Sequence, residues 1–235
     1  MIDISAQYFY FFLTLPFLVV WLWLFFANKS TRKEQLTLSW IGAIIGPLSE
    51  IIYFKDYWIP QSILPLSVGG VPVLIEDVLF GFAIMGIAGV IFEVVFRTQQ
   101  RKFKSKMRPK YTPVQILSVF IIVLFAMLWL GVNSIYASAA GFVAAAVPLL
   151  WLRHDLFLNS VISGVGVMGV MFISYLLIFN VASNIEELMS EGWLLYGSSL
   201  DWRIAGIPLT EMVWGFSMGF LTGPIYEFVK ARRLS

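Results

Sequence analysis

The chain is a succession of long apolar runs separated by short polar or charged segments. Runs of about 18 or more apolar residues are long enough to cross a bilayer as helices. The pattern therefore predicts an all-α, polytopic membrane protein with seven transmembrane helices. They cover residues 8–27, 36–54, 74–96, 113–131, 134–152, 159–182 and 207–229. The first run has no basic segment before it, which favours a retained span over a cleaved signal peptide.

Composition narrows the chemistry that the chain can carry. Hydrophobic residues make up 59% of it and charged residues 13%, which is far from the balance of a soluble domain. Cysteine is absent, which excludes disulfides, thiolate metal sites and redox thiols. The single histidine, His154, argues against a multi-histidine metal site, so we expect neither a metal nor a cofactor.

The basic residues predict the orientation of the seven spans. Fourteen of the 16 Lys and Arg residues fall on one side, and only Lys55 and Arg203 fall on the other. The positive-inside rule makes the basic side cytoplasmic, so the N-terminus is predicted outside and the C-terminus inside, in a prokaryotic cell membrane. The basic run at 97–110 is explained as a topology signal, and no nucleic-acid partner is expected.

A weak internal repeat organises the spans. Residues 77–93 align without gaps on residues 211–227, and five of the 17 positions are identical. The chain therefore divides into repeat one (1–97), a basic loop with a linking helix (98–133), and repeat two (134–235). Three helices per half plus one linking helix predict two parallel repeats, related by an axis along the membrane normal.

Four acids lie in or beside predicted spans, where charges are costly and usually functional. A proline before each group predicts that the acids lie in the first turns of helices, where the helix dipole favours an anion. That structural explanation is weaker for Asp77 and Glu211, because the repeat keeps an acid at both positions. The candidates are Glu50, Glu76, Asp77 and Glu211.

Two further acids, Glu93 and Glu227, also match between the halves. Ion pairs of Glu93 with Arg97 and of Glu227 with Lys230 would explain them as structural residues. Repeat two has no clear counterpart of Glu50, and Asn180 is a candidate for that place.

The segment GVGVMG at 164–169 fits the pattern of a dinucleotide-binding loop. That motif requires a preceding strand and a βαβ unit, whereas this segment lies inside a predicted membrane span. Glycines at such spacing, and those of GAIIG at 42–46, instead favour close helix packing.

Carboxyl groups in an apolar, aromatic setting suit two kinds of chemistry. Burial away from water favours the neutral form of a carboxyl group, which can then donate a proton. Aromatic faces can stabilise a cation. Protonation and cyclisation of a hydrocarbon double bond would use this set, and so would proton-coupled transport.

Three segments resemble the integral-membrane lycopene cyclases of the heterodimeric bacterial and fused archaeal and fungal types. They are GPLSEIIYFKDYW (46–58), GVPVLIEDVLFGF (70–82) and GIPLTEMVWGF (206–216). The first resembles the family's acid-then-Trp segment, and the others its Pro-x-Glu-Glu segment. Three residues, instead of the family's one, separate Pro72 from Glu76, and Thr210 replaces the first acid of the second copy.

The resemblance implies a redox-neutral cyclase, an intramolecular lyase or isomerase, that turns lycopene-type end groups into ionone rings without a flavin. It implies Glu76 and Asp77 as the acid/base group, with Glu50 tuning it or taking the proton. Glu211 would be a remnant or partner. The expected partners are a carotenoid and membrane lipid, and a homo-oligomer is left open. The alternatives are a small proton-coupled transporter and a non-catalytic carotenoid- or lipid-binding protein.

Overall fold

A computed structural model describes residues 1–68, 71–98, 100–102 and 113–234. The helices are α1 (Ala6–Ala27), α2 (Arg32–Tyr53), α3 (Ile75–Phe96), α4 (Pro113–Trp129), α5 (Ser134–Leu152), α6 (Phe157–Val181), α7 (Ile185–Gly192), α8 (Leu209–Thr222) and α9 (Ile225–Val229). Short strands pair as β1 (Pro65–Val68) with β2 (Val71–Leu74), β3 (Gln100–Lys102) with β6 (Arg232–Leu234), and β4 (Arg203–Ile204) with β5 (Ile207–Pro208). Residues 103–110 of the basic run lie outside the described residues.

Several helices fit a membrane span by length and composition. Among the described residues, α1, α2, α3, α5 and α6 are long and apolar enough to cross a bilayer. The apolar helix α4 is shorter, at 17 residues. These helices begin and end within a few residues of the predicted spans, because the length of each apolar run determines both the predicted span and the helix that forms.

The predicted last span, 207–229, is wrong as one continuous helix. Helix α8 ends at Thr222, and α9 starts at Ile225 after Gly223 and Pro224. Proline has no backbone N–H and its ring crowds the carbonyl four residues earlier, which breaks a helix at that point.

Helix α3 forms the centre of the described fold. It packs against α1 and α2 on one side and against α6 and α8 on the other. In the second half of the chain α8 packs against α5 and α6, while α4 packs against α5. The middle of α3 is fully covered by its neighbours, with Ala83, Ile87 and Val90 at 0% exposure.

Glycine brings helices α2 and α3 into backbone contact. A Cβ built at Gly42 would lie 2.0 Å from the carbonyl oxygen of Gly81, and one at Gly81 would lie 2.3 Å from that of Gly42. In the second half Gly164 packs against Phe216 and Gly219 against Ser163. The helix-packing interpretation of the glycines is therefore confirmed for Gly42 and Gly164.

Two loops close one end of the helix bundle, which we call the Asp77 end. The Ile59 N–H donates to the Gly192 carbonyl at 2.7 Å, and the Leu194 N–H donates to the Tyr57 carbonyl at 2.9 Å. Residues 57–59 and 192–194 thus form a small antiparallel bridge, which we call the roof. It joins the loop after α2 to the segment after α7.

Candidate functional site

The structure brings the four predicted acids to the Asp77 end of the bundle. Glu76 and Asp77 lie in the first turn of α3, and Glu211 lies in the first turn of α8. All four side chains are buried, with at most 7% of each residue exposed. Glu50 does not sit at a helix start as expected: Pro47 lies within α2, and Glu50 is near its C-terminal end. Because α2 runs toward this end of the bundle, its last turn meets the first turn of α3.

Glu50 and Asp77 form a carboxyl pair. They are close enough to interact directly, and the Tyr10 hydroxyl faces Asp77 as well. Among the described residues, no group makes a well-formed hydrogen bond to either Asp77 oxygen, although the Leu74 backbone also lies close to this carboxyl. The Trp58 indole donates to Glu50 Oε2 at 3.0 Å. Two buried carboxyl groups in contact cannot both be ionised, so the pair shares at least one proton.

Glu76 has a different environment from its neighbour Asp77. Its Oε2 accepts the Ser62 hydroxyl at 2.6 Å, and its Oε1 accepts the Ile63 N–H at 2.8 Å. Both oxygens therefore anchor the segment that leads from the roof to β1, although the side chain is completely buried.

Glu211 is surrounded by hydrogen-bond donors. The Tyr57 hydroxyl donates to Glu211 Oε1, and the Trp193 indole donates to the same oxygen at 3.3 Å. The Tyr175 hydroxyl faces this carboxylate too. Burial and the nearby Glu211 hold the pKa of Tyr57 well above its ordinary value of 10.0, so this phenol keeps its proton at neutral pH.

Aromatic rings lie between the two carboxyl centres. The ring of Trp58 is 4.6 Å from Tyr10 and 5.5 Å from Trp193 between centroids. A small opening, lined by Phe9, Tyr10, Trp58 and Trp193 among others, lies beside them. Such ring faces can stabilise a developing cation within a site that excludes water.

Sequence reasoning missed the tyrosines and Trp193 of this site. Tyr57 and Trp58 lie inside the segment that resembles the family's acid-then-Trp motif, but nothing in the pattern connected Tyr57 to Glu211, 154 residues away. Tyr10 and Tyr175 fall in apolar runs where aromatic residues are common. Asn180, considered as a counterpart of Glu50, is exposed and donates to the Leu176 carbonyl at 2.7 Å.

A second acidic cluster lies at the opposite end of α3. Oxygens of Glu34, Glu93 and Glu227 lie within 4.8 Å of one another, all buried, and the grouping could hold a metal ion. In the described part of the chain, neither Arg97 nor Lys230 pairs with these acids, and both cations are exposed. The predicted Glu93–Arg97 and Glu227–Lys230 pairs are wrong, because the acids point into the bundle while the cations lie beyond the helix ends.

Glu93 lies sixteen positions after Asp77 on α3, about 24 Å along a helix. The buried residues of α3 between them include Ala83, Ile84, Ile87 and Val90. These apolar side chains separate the two acidic clusters along the central helix.

Comparison with known proteins identified one family. Residues 133–229 match the model of a family described as lycopene cyclase. This segment contains α5 to α9, including Glu211, Tyr175 and Trp193. No curated protein and no solved structure matches the chain.

Proposed function

Since the match over residues 133–229 supports assigning this chain to the lycopene cyclase family, we propose that it is a membrane carotenoid cyclase. It converts acyclic, lycopene-type end groups into ionone rings. The reaction is redox-neutral and belongs to the intramolecular lyase or isomerase kind. The observation that carries the proposal is the buried Glu50–Asp77 pair beside the rings of Tyr10 and Trp58.

The pair supplies the proton that starts the reaction. A carboxylic acid protonates the terminal double bond, and a second alkene of the same end group attacks the tertiary cation. Loss of a proton then leaves a ring double bond. Asp77 is suited to donation because it lies beside a second carboxyl, Glu50 at the end of α2, and no well-formed hydrogen bond from another described residue holds its oxygens. Glu76 shapes the site through its hold on Ser62 and Ile63.

We further infer that the two halves form a parallel repeat. Two pairs of residues matched by the repeat meet at this interface. Phe80 of α3 stacks 6.2 Å from Trp214 of α8, and Glu93 of α3 meets Glu227 of α9. These contacts support a pseudo-two-fold axis between α3 and the α8–α9 segment.

The repeat also suggests what replaces Glu50 in the second half. Gly81 packs between Gly42 and Gly46 of α2, and its counterpart Gly215 packs against Val167 and Met171 of α6. Glu50 lies four residues after Gly46, and Tyr175 lies four residues after Met171. Glu50 and Asp77 of the first half thus correspond to Tyr175 and Glu211 of the second half. Because only the first half has a pair of carboxyl groups, we assign the proton donor to that half alone.

We also propose that the chain has the membrane orientation that its basic residues predict. The Asp77 end faces outward, the N-terminus is outside, the C-terminus is cytoplasmic, and the membrane is that of a prokaryotic cell. Arg153 and Lys230 mark the cytoplasmic side among the described residues.

Pigment analysis tests the proposed function directly. Expressed in a host that accumulates lycopene, the wild-type chain should convert it to cyclised carotenoids, measured by chromatography. Asp77→Asn should reduce the product by about 100-fold or more, the usual contribution of a general acid. Glu93→Gln is the matched control, since Glu93 is equally buried on the same helix but far from the pair.

If well-inserted wild-type protein left lycopene unchanged, the result would contradict the proposed cyclase function. It would favour the alternative of a non-catalytic carotenoid-binding protein. Equal loss in Asp77→Asn and Glu93→Gln would contradict the choice of site. Proton-coupled transport is supported less well, because apolar side chains separate the two acidic clusters along α3.

A further inference from the structure

We propose that Glu211 is the proton acceptor of the cyclisation, distinct from the Glu50–Asp77 pair that supplies the proton. The inference rests on the proposed function and divides the chemistry between the two carboxyl centres. Tyr57, Tyr175 and Trp193 act as positioning residues, because they hold Glu211 and act through it.

The first observation is the donor set around Glu211. Tyr57 and Trp193 both donate to its Oε1, and the Tyr175 hydroxyl faces the group. An ionised carboxylate only accepts hydrogen bonds, whereas a protonated one must donate one of its own. Converging donors therefore stabilise the anion relative to an equally buried carboxyl without donors, and the anion is the form that can receive a proton.

The second observation is the contrast with Asp77. Asp77 faces another carboxyl, Glu50, with the Tyr10 hydroxyl and the Leu74 backbone nearby, but within the described part of the chain neither of its oxygens accepts a well-formed hydrogen bond like those on Glu211. A carboxyl that shares a proton with a neighbour is suited to release it to a substrate. Pairs of acidic groups whose environments favour opposite protonation states are the ordinary basis for assigning acid and base.

The third observation places both centres on one aromatic surface. Trp58 donates to Glu50 and Trp193 donates to Glu211, and the two rings lie 5.5 Å apart. An end group lying against these rings would have the proton donor on one side and the acceptor on the other.

With separate carboxyl groups as proton donor and proton acceptor, each bond and proton of the cyclisation is accounted for. A proton leaves the Glu50–Asp77 pair and adds to the less substituted carbon of the terminal double bond. The electron pair of that double bond forms the new C–H bond and leaves a tertiary cation on the other carbon. The internal alkene then forms the ring C–C bond to the tertiary cation. Finally, a C–H bond next to the new cation breaks, its electrons form the ring double bond, and Glu211 takes the proton. One proton enters the substrate and one leaves it, so before the next turnover Glu211 must lose its proton and the Glu50–Asp77 pair must regain one.

Deuterium labelling separates the two roles. Membranes containing each variant are given preformed lycopene in D2O, and products are resolved by chromatography and mass spectrometry. The wild-type protein should place one deuterium in each ring. Asp77→Asn should form no deuterated product. Glu211→Gln should still incorporate deuterium, but with about 100-fold less of the wild-type ring isomer. Its cation should instead end as other double-bond isomers or as a water-quenched alcohol.

Tyr57→Phe tests the positioning role and remains informative if Glu211→Gln fails to accumulate. It removes one donor from Glu211 and keeps the ring, so we expect about a ten-fold slower reaction with the same shift in product ratio. A merely structural tyrosine would change protein yield without changing that ratio.

Two outcomes would overturn the assignment of Glu211. One is a Glu211→Gln or Tyr57→Phe protein with wild-type rate and product ratio. The other is a well-inserted Glu211→Gln protein that, like Asp77→Asn, yields no deuterated product. Failure of the wild-type protein to form any ring would instead contradict the proposed function, so the two failures are distinguishable.

Discussion

At the scale of single residues, the surroundings of a carboxyl group decide what it can do. Glu76 and Asp77 are neighbours in sequence, and both are buried in the first turn of α3. Glu76 has a hydrogen-bond donor on each oxygen, whereas among the described residues Asp77 has no well-formed hydrogen bond. Adjacent acids on a helix point in different directions, so Glu76 anchors a loop while Asp77 lies beside Glu50.

The anchoring role of Glu76 predicts a loss of stability. Glu76→Ala leaves the Ile63 N–H and the Ser62 hydroxyl without their acceptor, which should cost about 1–3 kcal/mol. Thermal unfolding in detergent should show a lower midpoint, while product formed per folded molecule should fall far less than in Asp77→Asn.

Glu187→Ala is the matched control for Glu76→Ala, because Glu187 is exposed in α7 and an exposed substitution usually changes stability by less than about 0.5 kcal/mol. A folded Glu76→Ala protein without activity would instead assign Glu76 to the chemistry.

At the scale of helices, the contact between α2 and α3 fixes the acid pair. Gly42 and Gly81 let the two backbones touch, and Gly46 lies against Asp77, one turn before Glu50. The separation of Glu50 from Asp77 is thus set by residues without side chains. Small residues at helix interfaces allow this approach in membranes.

Gly42→Ala should separate the two helices. Its Cβ would lie 2.0 Å from the Gly81 carbonyl oxygen, a backbone atom that cannot rotate away. Overpacking of this kind usually costs about 1–3 kcal/mol, and we expect lower thermal stability together with lower cyclase activity.

Gly169→Ala provides the comparison for Gly42→Ala, since nothing lies within 4 Å of a Cβ at Gly169 and alanine favours a helix over glycine. Equal behaviour of the two variants would show that the α2–α3 contact is not tight.

At the scale of the whole molecule, contacts between the halves complete the site. Tyr57 reaches Glu211 from the first half, and Trp58 packs on Trp193. Further along the bundle Phe80 stacks on Trp214. None of these contacts needs the loop between α3 and α4, which joins the halves covalently.

The chain should therefore tolerate a break in that loop. Fragments 1–106 and 107–235, expressed together in a lycopene-accumulating host, should restore cyclised product to within several-fold of the intact chain. Each fragment alone should give none, because the first lacks Glu211 and the second lacks Asp77. Two fragments that both accumulate in the membrane yet form no product together would contradict this prediction.

The sequence predicted the helices well, because apolar run length and turn residues act locally. It also identified the four acids, since a charge in an apolar run stands out. It did not reveal that Tyr57 is a partner of Glu211, or that Glu34 lies beside Glu93, because these contacts join distant segments. Gly223 and Pro224 are a local sequence signal for the end of a helix, but the prediction of a single span did not use it.

The roof has a mechanical consequence for the two carboxyl centres. Its two segments are hydrogen-bonded to each other, and each carries an indole that donates to one carboxyl, Trp58 to Glu50 and Trp193 to Glu211. We therefore expect a shift of either segment to displace both indoles. A disturbance at one carboxyl centre should then reach the other through this backbone pairing.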